Sequence, residues 1–72
     1  MKKLQKYKCT VEEWLDGDRK GSFSLHFAEI IAESKAEAGR IAAQNVKNFK
    51  KCKVEQIVPC AQDAEKGIRW IG

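Results

Sequence analysis

Few residues in this 72-residue chain are equipped for covalent chemistry: one histidine, His26, and three cysteines, Cys9, Cys52 and Cys60. A Cys9–His26 nucleophilic pair would need its members within hydrogen-bond reach on neighbouring strands. Residue parity opposes this, because Cys9 alternates inward with Val11 while His26 alternates outward with Ser24. His26 is then expected as an exposed cross-strand neighbour of Thr10 or Glu12. An odd number of cysteines without a CxxC pair argues against both a disulfide framework and a zinc ribbon, and leaves three reduced thiols, one or two of them in the core. A Cys₃His metal site is possible by count alone, and the spacing does not support it. Glu12, Glu13, Asp16 and Asp18 gather near a hairpin tip, where Gly17 and the following Arg19-Lys20 indicate solvation rather than metal binding. The chain has no glycine-rich phosphate loop, HExxH helix or nucleophile elbow. A protein that is not an enzyme and uses no cofactor or metal is expected.

The residues that can bind are cations. Arg40, Lys47, Lys50, Lys51 and Lys53 fall within fourteen positions without one acid, in a chain whose net charge is +4. The rest of the molecule is therefore close to neutral, and a small domain with its charge gathered this way is suited to an anionic contact. The competing reading is a solvated face whose cations offset a helix macrodipole, worth about 0.3–1 kcal/mol each. With Arg69 and Trp70 near the C-terminus, these five cations are the candidate partner-binding residues.

The positioning elements follow from periodicity. Residues 1–72 form a single domain, since so short a chain buries only roughly 60% of its unfolded surface. Tyr7, Cys9 and Val11 alternate with Lys6, Lys8, Thr10 and Glu12, so a strand is expected from Leu4 to Leu15. Asp16-Gly17 opens a turn that closes by Gly21. The second strand places Phe23, Leu25 and Phe27 on one face, then shifts its apolar positions to Ala28, Ile30 and Ala32. A β-bulge near residues 27–29 would keep both halves on the core. Ser34-Lys35-Ala36-Glu37 is a capping box in which Glu37 reaches back to the Ser34 amide. Ala38, Ile41, Ala42, Val46 and Phe49 continue it as one helical stripe that carries the basic cluster at its C-terminal part. Cys52 to Cys60 reads as a third strand that ends, or lies at an edge, at Pro59. Gln62 to Gly67 is a polar loop, and Ile68 to Ile71 a short last strand. The expected architecture is α+β: ββαββ, two hairpins joined by one helix that covers one face of a four-stranded antiparallel sheet.

Direct nucleic-acid binding needs cations and stacking aromatics on one surface. Tyr7 and Phe49 are assigned to core faces, which leaves only Trp14 and Trp70 for stacking, and no RNP motif, helix-turn-helix or KH loop occurs. The stretch Glu33-Ser34-Lys35-Ala36-Glu37-Ala38-Gly39-Arg40-Ile41-Ala42, with the terminal Lys66-Gly67-Ile68-Arg69-Trp70-Ile71, resembles small type I-F anti-CRISPR proteins. The same outline also looks like other short mobile-element proteins, including the DpnD/PcfM-like group. The anti-CRISPR resemblance implies a phage or mobile-element inhibitor that docks on a CRISPR surveillance complex and obstructs target DNA. Its cation cluster would then mimic or compete with part of a nucleic-acid interface.

The leading expectation is thus a non-enzymatic inhibitor whose partner is a protein complex that handles nucleic acid. The alternatives are a basic protein contacting phosphates directly, or a structural module that pairs with itself through the exposed sheet face or an edge. No run approaches the ~18–20 apolar residues of a membrane span, and no signal-peptide pattern is present, so a cytoplasmic location in a bacterial host is expected.

Overall fold

A computed structural model describes residues 3–15, 21–60 and 63–71. The elements are β1 (Gln5–Trp14), β2 (Phe23–Ala32), α1 (Lys35–Gln44), β3 (Phe49–Pro59) and β4 (Gly67–Ile71). They form one antiparallel four-stranded sheet, in the order β3-β1-β2-β4, with one helix. The class is α+β. The expectation of a second hairpin is corrected: β3 pairs with β1 and β4 with β2, so the last two strands stand at opposite edges. The turn expected from Asp16 to Gly21 lies, except for Gly21, outside the described residues.

The core lies between α1 and one half of the sheet. Tyr7, Cys9 and Val11 of β1 meet Ala28, Ile30 and Ala32 of β2 and Ala38 and Ala42 of the helix, all buried. Ile41, Val46, Phe49, Cys52, Val54 and Ile68 pack around them, partly buried. Small residues at Ala28, Ala32, Ala38 and Ala42 let the helix approach the strands closely, so burial is concentrated in Ile30 and Val11, the largest fully enclosed side chains.

The helix starts where its cap predicts. The Ser34 hydroxyl accepts from the Glu37 amide at 3.1 Å, while the Glu37 carboxylate accepts from the backbone amide of Glu33 at 2.8 Å, one residue earlier than the capping box requires. The helix then ends sooner than its apolar period suggests. Asn45 is the C-cap, its side-chain amide donating to the Ile41 carbonyl at 2.8 Å and its backbone N–H to Ala42. With those carbonyls satisfied the chain leaves the helix, and Val46 and Phe49 reach the core from the connecting segment and from β3. The basic cluster is therefore not a helix C-terminus, for no basic residue occupies the last turn of α1.

The largest departure concerns β2. Its pairing with β1 is continuous over ten residue pairs, from Gln5 with Ala32 to Trp14 with Phe23, without the bulge expected near residues 27–29. The irregularities fall instead in the β1–β3 ladder, between Lys8 and Cys9 and between Glu12 and Glu13. Parity alone then turns Phe23, Leu25 and Phe27 away from the helix. The physical reason is reach: ten helical residues span about 15 Å, whereas ten strand residues span about 33 Å, so α1 cannot cover the start of β2. A bulge would have forfeited ladder hydrogen bonds to aim those side chains at a face with no helix above it.

Candidate binding face

Among the described residues, no element covers the sheet face opposite α1, the open face. Paired residues of antiparallel strands share a face, so its rows can be read across the sheet. Ile71, Phe27, Thr10 and Lys53 form one row, Arg69, Glu29, Lys8 and Gln56 another, and Ile31, Lys6 and Val58 a third. Leu25, Glu12 and Lys51 make the fourth, and Phe23 with Trp14 the last. Down the middle runs the apolar column of β2, with Phe23, Leu25 and Phe27 at 44%, 52% and 53% exposure and Ile71 beside it at 47%. Cations flank the column on both sides.

At one end the face is braced by a mixed cluster. The Trp14 and Phe23 rings meet edge to face, with centroids 6.2 Å apart and planes at 83°. The Lys50 ammonium lies 4.6 Å from the centre of the Phe23 ring and 5.1 Å from that of Trp14, and donates to the Glu12 carboxylate at 2.8 Å. Lys50 reaches them from the irregularity where β1 pairing passes from Lys51 to Phe49. A cation so held adds about 0.5–1 kcal/mol or more per ring and limits the ring rotamers. At the second irregularity, Glu55 accepts from the Thr10 hydroxyl at 3.2 Å and lies 4.0 Å from the Lys53 ammonium.

Six cations, Lys6, Lys8, Lys50, Lys51, Lys53 and Arg69, face this side against three acids, Glu12, Glu29 and Glu55, an excess of three positive charges among the described residues. Glu12 is already engaged by Lys50, which leaves Lys51 opposite it without that counter-charge.

The expected site residues are divided between the two faces. Lys50, Lys51, Lys53 and Arg69 come together on the open face. Arg40 lies exposed on α1, near the Lys66 ammonium that bridges Glu33 at 3.3 Å and Glu37 at 3.0 Å. Lys47 follows the helix, and Trp70, opposite Ala28, points to the helix side with its ring 5.9 Å from that of His26. Phe23, Leu25, Phe27 and Ile71 were not among the expected site residues, nor were Lys6 and Lys8, although the alternation of β1 already turns those two lysines to this face. The signal for the three β2 residues was there, since unbroken alternation from Phe23 to Ala32 separates Phe23, Leu25 and Phe27 from Ala28, Ile30 and Ala32.

His26 also sits on the helix side, opposite Val11, not among Thr10 and Glu12. With Glu13, Asn45, Val46, Lys47 and Trp70 it lines a shallow pocket of about 230 Å³ beyond the end of the helix. Its Nε2 lies 3.0 Å from the Glu13 carboxylate and 3.1 Å from the Ser24 hydroxyl. This resembles a serine–histidine–acid relay only in residue type. A relay needs the acid on one ring nitrogen and the serine on the other; here both partners share Nε2, so a proton held toward Glu13 leaves no base for Ser24. Cys9 is buried, its thiol directed at the Tyr7 carbonyl at 3.4 Å, and the adjacent Cys52 sulfur together with burial pushes its pKa up, opposite to what a nucleophile needs. No group of three or more metal-ligating side chains occurs among the described residues.

No protein-family model, curated protein or solved structure matches this chain. The open face itself therefore carries the functional argument. Among the described residues no helix is long and apolar enough to cross a membrane.

Proposed function

We propose that this chain is a small non-enzymatic binding module that holds nucleic acid through the open face of its sheet. One observation carries the reading: Phe23, Leu25 and Phe27 stand exposed in a column among cations instead of filling the core. Stacking surfaces and phosphate-seeking charge on one surface are what sequence-tolerant nucleic-acid binding requires. Neither edge of the sheet competes with the face as a docking surface. The long edge strand β3 carries Lys50, Lys51, Lys53, two pairing irregularities and a terminal Pro59, and β4 has only five residues, all features that discourage strand addition.

A second reading keeps a protein partner. Leu25, Ile31 and Ile71 give the column an aliphatic component, and an apolar centre with a charged rim is the usual anatomy of a protein interface. In this form, in line with the anti-CRISPR resemblance, the module is a phage-type inhibitor docking on a nucleic-acid-handling assembly such as a CRISPR surveillance complex.

The test is retention of mixed-sequence nucleic acid on filters at about 50 mM salt, where a handful of phosphate contacts is not yet screened out. Wild type should bind in the micromolar range, and the double substitution Lys8→Glu with Lys53→Glu, both at exposed positions, should abolish retention while leaving the far-UV spectrum unchanged. Wild type that retains no nucleic acid, yet binds a purified type I-F surveillance complex after nuclease treatment and loses it on Leu25→Asp, would replace the first reading with the second.

A further inference from the structure

Resting on the nucleic-acid reading above, we propose that the open face takes a single strand and not a duplex, laid along β2 with successive bases on Phe23, Leu25 and Phe27. The three side chains alternate on one strand and are thus about 6.6 Å apart, a spacing suited to a stretched strand whose bases have come apart from one another. Phe23 and Phe27 offer ring faces for stacking, and Leu25 an apolar step between them. Four cations lie to one side of this column, and Arg69 of β4 lies to the other. Lys6 and Lys8 are on β1, about 4.8 Å from β2, and Lys51 and Lys53 on β3, about twice as far. A backbone running over β1 and β3 would have its phosphates against these four ammonium groups while its bases turn toward β2.

A duplex does not fit this arrangement. Its base faces are stacked inside the helix, so exposed aromatic rings have nothing to stack on. Its major groove, about 12 Å wide, admits a helix or a two-stranded ribbon, whereas the outer strands of a four-stranded sheet are already about 14 Å apart before side chains are added. A second copy of the chain is disfavoured as the occupant, since face-to-face packing would set one excess of three positive charges against another.

Lys50 has a separate part in this site. Held by Glu12 and lying over both rings, it fixes Trp14 and Phe23 at the end of the column and acts as a positioning residue.

The experiment is fluorescence anisotropy of a labelled twelve-nucleotide oligothymidylate and of a duplex of equal length, titrated with the full chain over a range of salt concentrations. Four phosphate contacts to a single strand predict a log–log salt slope of roughly −3. Single-strand affinity should exceed duplex affinity by roughly ten-fold or more. Phe27→Ala and Phe23→Ala should each weaken single-strand binding by roughly ten-fold, in the range known for loss of one stacking platform. Lys8→Ala with Lys53→Ala should flatten the slope to roughly −1.4, and Trp70→Ala, on the opposite face, should leave affinity within about two-fold. Both phenylalanines are exposed, and circular dichroism on each variant confirms that it is folded. Duplex bound as well as or better than the single strand would overturn the single-strand inference and leave the nucleic-acid reading standing. Binding to neither probe at low salt would overturn both.

Discussion

Replacing Phe27 and Ile30 separately with alanine tests which face of β2 is the core. Ile30 is fully enclosed against Ala38 and Ala42. Removing three buried carbons costs about 2.4 kcal/mol in transfer free energy at roughly 0.8 kcal/mol each, and the cavity left under the helix brings the loss to about 3–4 kcal/mol. Phe27 is 53% exposed. About half of a phenylalanine's ~200 Å² is therefore covered, which caps the loss near 2.5 kcal/mol at ~25 cal/mol per Å²; with no cavity formed and a β-carbon retained, about 1–1.5 kcal/mol is expected. A chain of 72 residues has an unfolding entropy of about 150 cal/mol/K. Each kcal/mol then shifts the melting temperature by about 6–7 °C, so Ile30→Ala should lower it by about 20 °C or more and Phe27→Ala by less than about 10 °C. Total stability at this length is about 3–5 kcal/mol, and urea unfolding should find Ile30→Ala near the edge of folding. The assay is paired thermal and urea denaturation by circular dichroism. Equal losses, or a larger loss for Phe27→Ala, would mean that Phe27 is a core residue and that the open face is misassigned.

Acid and alkali should each loosen the link between α1 and the residues before β4. The Glu37 carboxyl is held below its ordinary pKa, first by the Glu33 amide and then by Lys66. A lowered folded pKa means stability that is full above the unfolded value and lost as pH falls through the folded one, so the melting temperature should drop on the acid side below about pH 4.5 and Glu37→Gln should flatten that limb. The Lys66 pKa is raised, chiefly by Glu37, so its contribution holds below its ordinary value and fades as pH rises through the folded one; an alkaline limb unchanged by Lys66→Met would refute the pairing. Cysteine reactivity should rank by burial: an alkylating reagent should modify the half-buried Cys52 and Cys60 first and Cys9 only as fast as the core opens. Cys9 labelling ahead of the others under native conditions, read by mass spectrometry, would contradict its place beneath the helix.

What the sequence determined by itself is local. The period of two in residues 6–12 placed Tyr7, Cys9 and Val11 inward, and the serine and glutamate three positions apart marked the helix start, because alternation and capping depend only on neighbours along the chain. Pro59 likewise marked the end of an edge strand. Tertiary structure decided which face of β2 is covered, and through that the candidate site. Both Phe23-Leu25-Phe27 and Ala28-Ile30-Ala32 are apolar, and local pattern favours burying both by way of a bulge. A helix of ten residues covers only half of a strand of ten, so one set had to stay out, and the set near the helix was the one small enough to admit it. The same long-range pairing sent Lys50, Lys51 and Lys53 to the open face while Arg40, Lys47 and Trp70 went to the other, and carried β3 and β4 to opposite edges. Proximity in sequence could not separate those cations, because they part company only where the helix ends at Gln44 and β3 takes up its place beside β1.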